Sequence, residues 1–317
     1  MIDGPTHMKK FLLSAVSLAT LASTAIAADL PSRKAPIVAP PSPMWTGFYA
    51  GLNIGYGFGA SSSSNTTTVP IYDGVASTGV GIPSAGLGIA NSGVVSLNQN
   101  GVIGGGQIGY NYLTAQNFLL GLEADFQGSG IYGNGSYTAI GSDAKGQQAY
   151  RNTIGTGSVS SSLDWFGTVR GRIGYLATPS ILIFGTGGLT YGGVSANLKN
   201  TSISSYWDFD PTTYTQLGVG GASQTNTLVG WNAGGGVEWM FMQNWSAKAE
   251  AFYYDLGSSA MSGYVSGLAP TTSGGRTVNE WIYSANTTTK VNYNGIIARA
   301  GINYHFNFAS APVVAKF

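Results

Sequence analysis

From Trp45 to Gly59 the chain alternates without a break. Thr46, Phe48, Ala50, Leu52, Ile54, Tyr56 and Phe58 share one parity; Gly47, Tyr49, Gly51, Asn53, Gly55, Gly57 and Gly59 share the other. Successive side chains of a strand point to opposite faces, so one face of this stretch is apolar and the other nearly bare. A half-buried strand in water would carry polar groups of ordinary size on its exposed face. An apolar row against a glycine row fits lipid outside and a crowded lumen inside.

The same period predicts further strands at 101–112, 118–127, 162–175, 181–191, 227–241, 245–256 and 294–306. In 162–175 the expected outward residues are Leu163, Trp165, Val169, Ile173 and Tyr175, with Asp164, Arg170 and Arg172 inward. In 181–191 Ile181, Ile183, Leu189 and Tyr191 are placed on the lipid side, although Leu182 and Phe184 share the other face. Short turns fall at 113–117, 176–180 and 242–244, and long polar tracts at 60–99, 128–161, 192–226 and 257–293, the first read as a loop or as a loop with hairpin extensions of the flanking strands. Short connections on one side and long ones on the other predict an all-β fold: an eight-stranded antiparallel up-and-down transmembrane β-barrel with four long extracellular loops and three short periplasmic turns.

Two sets of side chains stand out on these strands. Trp45, Tyr112, Phe118, Tyr175, Trp239, Phe241, Trp245, Tyr304 and Phe306 cluster where strands meet the short turns and read as an aromatic girdle at the periplasmic rim. Glu123, Asp125, Arg170, Arg172, Glu238, Lys248, Glu250 and Arg299 all point inward near the same end and form one expected ionic belt. Charges in a narrow barrel are costly unless paired and hydrogen-bonded. The belt then either plugs the lumen and fixes register, or acts as a gate in which Arg170 or Arg299 exchanges carboxylate partners.

Composition agrees with a membrane home. Only 9% of the 317 residues are charged, against roughly 25% in soluble domains, while glycine reaches 48 residues. No mature stretch reaches the ~20 apolar residues of a membrane helix, so the chain would cross with strands. Residues 1–27 read as an N-terminal extension and secretory signal, with Lys9 and Lys10, an apolar run from Phe11 to Leu21 and the small-residue site Ala25-Ile26-Ala27. Met1 to His7 read as an upstream in-frame extension or a remnant of cloning. Residues 28–44 form a proline-rich periplasmic linker, 45–306 the barrel and 307–317 a C-terminal tail. Removing Lys9, Lys10 and Asp3 from the 14 basic and 13 acidic residues leaves a neutral mature chain, which argues against nucleic acid as a partner.

Candidate chemistry is sparse. Without cysteine there is no disulfide, thiolate nucleophile or sulfur metal site. Of two histidines, His7 precedes the cleavage site and His305 sits at the periplasmic end of the last strand, read as a rim residue. A hydrolase needs a base beside its nucleophile, so no enzyme, cofactor or metal is expected. Asp208 and Asp210 read as a solvated turn rather than a metal site.

The run AADLPSRKAP, the opening MWTGFYAGLNIGYGFG, and the segments GLEADFQGSG, LDWFGTVRGRIGY, GWNAGGGVEWMF, WSAKAEAFYYDLG and RAGINYHF together resemble the small outer-membrane β-barrel proteins of alphaproteobacteria. That porin-family group includes surface antigens and haem-binding outer-membrane proteins and is related in architecture to the OmpA transmembrane domain. The resemblance covers all eight predicted strands and none of the long tracts. It implies a place in the bacterial outer membrane, contact with outer-membrane lipid and with the barrel-assembly machinery, and pore, haem-binding or host-contact roles in individual members. Two departures stand out: no peptidoglycan-binding domain follows the barrel, and Phe306 and Phe317 compete as the assembly signal. The leading expectation is an envelope-structural barrel with at most narrow passage of small solutes. The alternative is a surface binding protein meeting haem, host or phage through loop residues such as Tyr206, Tyr214 and Tyr264, although no loop histidine is available as a haem ligand.

Overall fold

The computed structural model describes residues 44–60, 63–75, 80–81, 84–144, 150–207, 214–273 and 276–306. The signal segment, the linker as far as Pro43, Asp208, Asp210 and the tail with Phe317 lie outside these residues, as do the side chains of Tyr206 and Tyr214. In chain order the elements are β1 (Gly47–Gly59), β2 (Ser63–Val75), β3 (Val80–Gly81), α1 (Ala85–Ala90), β4 (Gly93–Ser96), β5 (Asn100–Leu113), β6 (Phe118–Ala144), β7 (Tyr150–Thr178), β8 (Ile181–Trp207), β9 (Tyr214–Met242), β10 (Trp245–Ser273) and β11 (Arg276–His305).

Pairing is antiparallel throughout and runs β1, β5, β6, β7, β8, β9, β10, β11, with β11 returning to β1. Tyr49 faces His305 and Gly59 faces Gly295 across that closing seam. Closure leaves no free edge among the described residues of the membrane-spanning part, as a sheet surrounded by lipid requires. The parity expected for β1 is kept: Phe48, Leu52 and Ile54 are exposed, while Tyr49 and Asn53 are buried. Inner-face glycines let neighbours approach, since a Cβ at Gly51 would lie 2.1 Å from Asn303 Oδ1.

The short turns are tight. Asn117 takes a left-handed conformation (φ 62°), which asparagine tolerates, and its carbonyl accepts the Leu176 N–H at 3.0 Å. The residues 179–180 and 243–244 make the other two turns.

The long tracts differ from expectation. Among the described residues, most of these tracts continue the same strands. β6 and β7 pair on from Gly133 and Ser161 to Ala144 and Tyr150, and β8 and β9 pair to Tyr206 and Tyr214. Beyond the lipid an outward face has no need of apolar residues, so serine, threonine and glycine replace them while backbone pairing continues along most of the extension, with the β9–β10 ladder broken between Asp255 and Tyr264. Within 60–99, β2 extends the line of β1 along β11, from Asn65 opposite Lys290 to Val75 opposite Trp281. There α1 buries Leu87 against Val265, Tyr283 and Ala285. Ser84 caps the helix by accepting the Leu87 N–H at 3.1 Å. Asp143 accepts the Gly86 N–H on Oδ1 at 2.7 Å and holds Arg151 Nη2 on Oδ2 at 3.1 Å, while Arg151 Nη1 donates to Asp73 at 2.8 Å. These contacts fasten the 84–99 segment to β2, β6 and β7.

One expected parity is reversed. A register shift between Leu163 and Trp165 turns Leu163 inward, where it is buried, and leaves Asp164 exposed, bonded to Ser162 and Ser195. The irregularity inserts a residue that strict alternation does not anticipate.

Candidate functional site

The belt is built by register. Glu123 stands directly opposite Arg170, Glu238 opposite Lys248, and Glu250 opposite Arg299, so each neighbouring strand brings the opposite sign to the same height. All eight belt side chains are buried, and the structure brings them into two joined groups.

The larger group holds Glu123, Asp125 and Glu250 with Arg170, Lys248 and Arg299. Arg170 touches all three carboxylates, with Nη1 3.1 Å from Glu250 Oε2 and Nη2 3.2 Å from Asp125 Oδ2 and bonded to Glu123. Lys248 Nζ lies 2.8 Å from Glu123 Oε2 and 3.0 Å from Glu250 Oε1. Arg299 reaches Glu250 through Nε and Asp125 through Nη2, both at 2.7 Å. The Thr168 hydroxyl donates to Asp125 at 2.7 Å, and the Tyr49 hydroxyl to Glu123 at 2.6 Å. Three negative charges thus meet three positive ones with further donors filling lone pairs, the condition under which buried ions are tolerated.

In the smaller group Arg172 pairs with Glu238, which also accepts from Ser246 at 2.5 Å and Asn303 Nδ2 at 2.8 Å. Here His305 departs from expectation. It is buried rather than at a solvated rim, with Nε2 3.0 Å from Ser246 Oγ and 3.4 Å from Glu238 Oε1. Its inward parity and its ring contacts with Trp45 and Tyr49 hold it there. Ser246, His305 and Glu238 do not form a nucleophile relay. The carboxylate approaches the same nitrogen that faces the serine, and the serine proton already points at Glu238.

Apolar layers cover the belt on both sides. Trp45, Leu119, Leu176, Leu182, Phe184 and Met240 pack at the periplasmic end. On the outer side Ile103, Ile131, Phe166, Phe252, Tyr254 and Ile297 begin a longer cluster that continues into the extension. The layers grip the belt through cation–π contacts: the Arg172 guanidinium lies 3.8 Å from the Phe184 ring centre, and Arg170 lies 4.9 Å from that of Phe252.

Eight of the nine predicted girdle residues are outward: Tyr112, Phe118, Tyr175, Trp239, Phe241, Trp245, Tyr304 and Phe306 are 37–57% exposed. Trp45 is the exception. At 2% exposure it stoppers the periplasmic end of the lumen, donating its ring N–H to Pro179 O at 2.9 Å. It precedes the first strand, so strand parity did not govern it.

A second girdle went unpredicted. Phe126 stacks on Trp165, Trp165 meets Tyr191, Trp231 meets Tyr253 and Tyr56 meets Phe58, all at similar height. Trp165 lies ten residues from Tyr175 along β7. At about 3.3 Å per residue and a tilt near 40°, that separation is roughly 25 Å of height, the apolar band of an outer-membrane barrel. Counting aromatics from each short turn would have found this set.

A closed antiparallel sheet, apolar outside between two aromatic girdles and polar within, defines an outer-membrane β-barrel protein. The chain belongs to the family of the 31 kDa outer-membrane immunogenic protein and resides in the bacterial outer membrane. It is 32% identical to that protein of Brucella melitensis biotype 1 over 255 residues, covering 79% of this chain and 88% of the relative, and equally so to that of Brucella suis biovar 1. The 22 kDa outer membrane protein of Rhizobium leguminosarum is 28% identical over 167 residues, 50% of this chain and 58% of that protein. No family model matches the chain. Among solved structures, OprG of Pseudomonas aeruginosa aligns over 84% of this chain and 98% of its own with a TM-score of 0.37 at 11% identity. Ail, the attachment invasion locus protein of Yersinia pestis, aligns over 80% and 99% with a TM-score of 0.25 at 9% identity.

Proposed function

We propose that this protein is an eight-stranded outer-membrane barrel with a sealed lumen, serving the envelope as a structural element and as a rigid base for its extracellular extension. The observation that carries the reading is the sandwich inside the bore: a charge-balanced ionic belt bridged across the lumen, with an apolar layer on each side. A path for ions would have to break buried pairs and open both layers. Its partners in this reading are outer-membrane lipid and the barrel-assembly machinery, and it has no catalytic role. Proteoliposome swelling tests it: vesicles carrying the refolded chain are expected to swell in small sugars no faster than empty ones, and rapid swelling would contradict the reading.

A second reading, surface contact, is favoured by the extension itself. Trp165 falls midway along β7 (Tyr150–Thr178), so half of that strand stands beyond the outer girdle, and the outer part of β10 displays Tyr264, 66% exposed. Immunogenicity, which the Brucella relatives' name states of them, would follow from such display. Replacing residues 133–160 by a short turn should abolish binding to host cells while the barrel still inserts; undiminished binding would count against this reading.

A further inference from the structure

A hollow of about 310 Å³ opens on the outer wall where β6, β7, β8 and β9 leave the outer girdle. Its lower rung runs through Tyr132, Ser162, Ser195 and Thr225, each opposite the next, and its upper rung through Ser160, Asn197 and Ser223. Ser160, Ser162 and Ser195 are half-buried and form its floor. Asp164 meets the lower edge through the bulge between Leu163 and Trp165. Its Oδ1 accepts the Ser162 hydroxyl and its Oδ2 that of Ser195, both at 2.7 Å. Bulges re-aim side chains, and this one puts a carboxylate on the outer face next to the girdle indole.

Aliphatic hydroxyls, one amide and a phenol are its outward lining. Serine and threonine hydroxyls donate and accept, the Asn197 amide does each with a separate atom, and an ionised carboxylate keeps lone pairs beyond those its two serines use. That set matches the neighbouring hydroxyls of a sugar ring, with exposed Tyr132 as a flat wall for the ring's apolar face. Phosphate is the poorer match. Asp164 repels it, and Lys199, the outward cation of β8, stands one rung higher, opposite Ser158. Ser162 and Ser160 lie three and five residues beyond Trp165 on β7. At about 3.3 Å per residue and a tilt near 40°, the hollow stands roughly 8–13 Å above the outer girdle, past the acyl chains and among head groups.

We propose that this hollow seats the saccharide head group of a glycolipid in the protein's own outer leaflet. A sugar anchored in that leaflet is already held at this height, which raises its effective concentration over a free sugar and lets an open site fill. A sugar on an approaching surface would have to reach past the rest of β7, which rises from Ser160 to Tyr150. The inference rests on insertion in the outer membrane and makes one part of the lipid contact specific. It does not depend on whether the lumen conducts.

Rough-type lipopolysaccharide is the probe, and lipid A, which lacks its core sugars, is the control. The full chain is refolded into phosphatidylcholine vesicles holding one or the other and purified in mild detergent. It is expected to retain lipopolysaccharide about tenfold better than lipid A. Ser195→Val should lower that retention about tenfold, and Asp164→Asn should lower it severalfold by removing a charged acceptor. Ser158→Val, one rung above the hollow, should leave it unchanged. Valine suits a strand, and heat-shifted gel migration reports folding and insertion separately from binding. Should Ser195→Val misfold, Asp164→Asn carries the test. Equal retention of the two lipids, or retention indifferent to these two variants, overturns the proposal. Core oligosaccharide freed from its lipid is expected to bind weakly; binding as tight as that of the intact glycolipid would assign the hollow to soluble sugars and overturn its assignment to the membrane.

Discussion

Arg299 of β11 and Asp125 of β6 meet across the lumen, with Nη2 2.7 Å from Oδ2. In the ring their strands are separated by β1 and β5. The pair therefore spans the bore instead of stitching neighbours, and the bare walls of β1 and β5 make the crossing possible.

Removing one member of this pair strands the other in a buried site. Arg299→Gln is expected to destabilise the barrel by ~3–5 kcal/mol, because Asp125 and Glu250 both lose a donor. Asp125→Asn should have a smaller effect, and the double variant should cost less than the sum, since the two side chains share one network. Urea unfolding in lipid vesicles, followed by tryptophan fluorescence, checks the cycle; strict additivity would mean that the bridge does not exist in the membrane.

The glycine face of β1 is a steric requirement at Gly55. A Cβ there would lie 2.4 Å from Ala298 O and 2.5 Å from Arg299 Cβ. Gly55→Ala is expected to cost about 1–3 kcal/mol through displaced backbone. At Gly106 the nearest atom would be Gly51 O at 3.7 Å, and Gly106→Ala should be near neutral. The same unfolding experiment compares them, and equal effects would contradict the close approach.

Trp45 and Trp245 separate stopper from girdle. Trp45 is buried and Trp245 is 42% exposed. Trp45→Ala is expected to cost ~3–5 kcal/mol, in the range of emptied core sites, whereas Trp245→Ala should cost about 1 kcal/mol or less. Unfolding midpoints in vesicles would show the difference, and a reversed order would return Trp45 to the rim.

Acid should loosen the 84–99 segment. Burial by itself would raise the Asp143 carboxyl, but Ser84 Oγ, the Gly86 N–H and Arg151 favour its charged form and hold it below the usual carboxylate range. A depressed folded-state value contributes stability above the unfolded value of about 4 and loses it as pH falls through the lower folded value. Amide exchange at Leu87 should therefore accelerate below about pH 4, when measured relative to the intrinsic rate. Asp143→Asn should remove that pH step, and a step that persists in the variant would assign it to another group.

Much of the membrane half was legible in the sequence because lipid outside and ions inside force opposite chemistry on alternate residues. Leu122, Glu123, Ala124 and Asp125 announce both the strand and its inward face. Above the outer girdle that contrast ends. In β6 beyond Gly133, outward Asn134 and Ser136 flank inward Gly135, and apart from Tyr137 and Ile140 both faces are small or polar, so the tract reads as loop although its backbone pairs to Ala144. The reversal at Leu163 and Asp164 is a backbone irregularity that no side chain announces. Tyr49, the one bulky side chain near the start of a glycine face, was a visible sign of a lumen partner, and it proves to be a donor to Glu123.

Single-channel recording of the refolded protein in a planar bilayer tests the sealed lumen most directly. The structure predicts a silent membrane with the native chain, and brief openings only when Arg299→Gln or Trp45→Ala loosens the layers. Discrete, long-lived conductance steps from the native chain would contradict it.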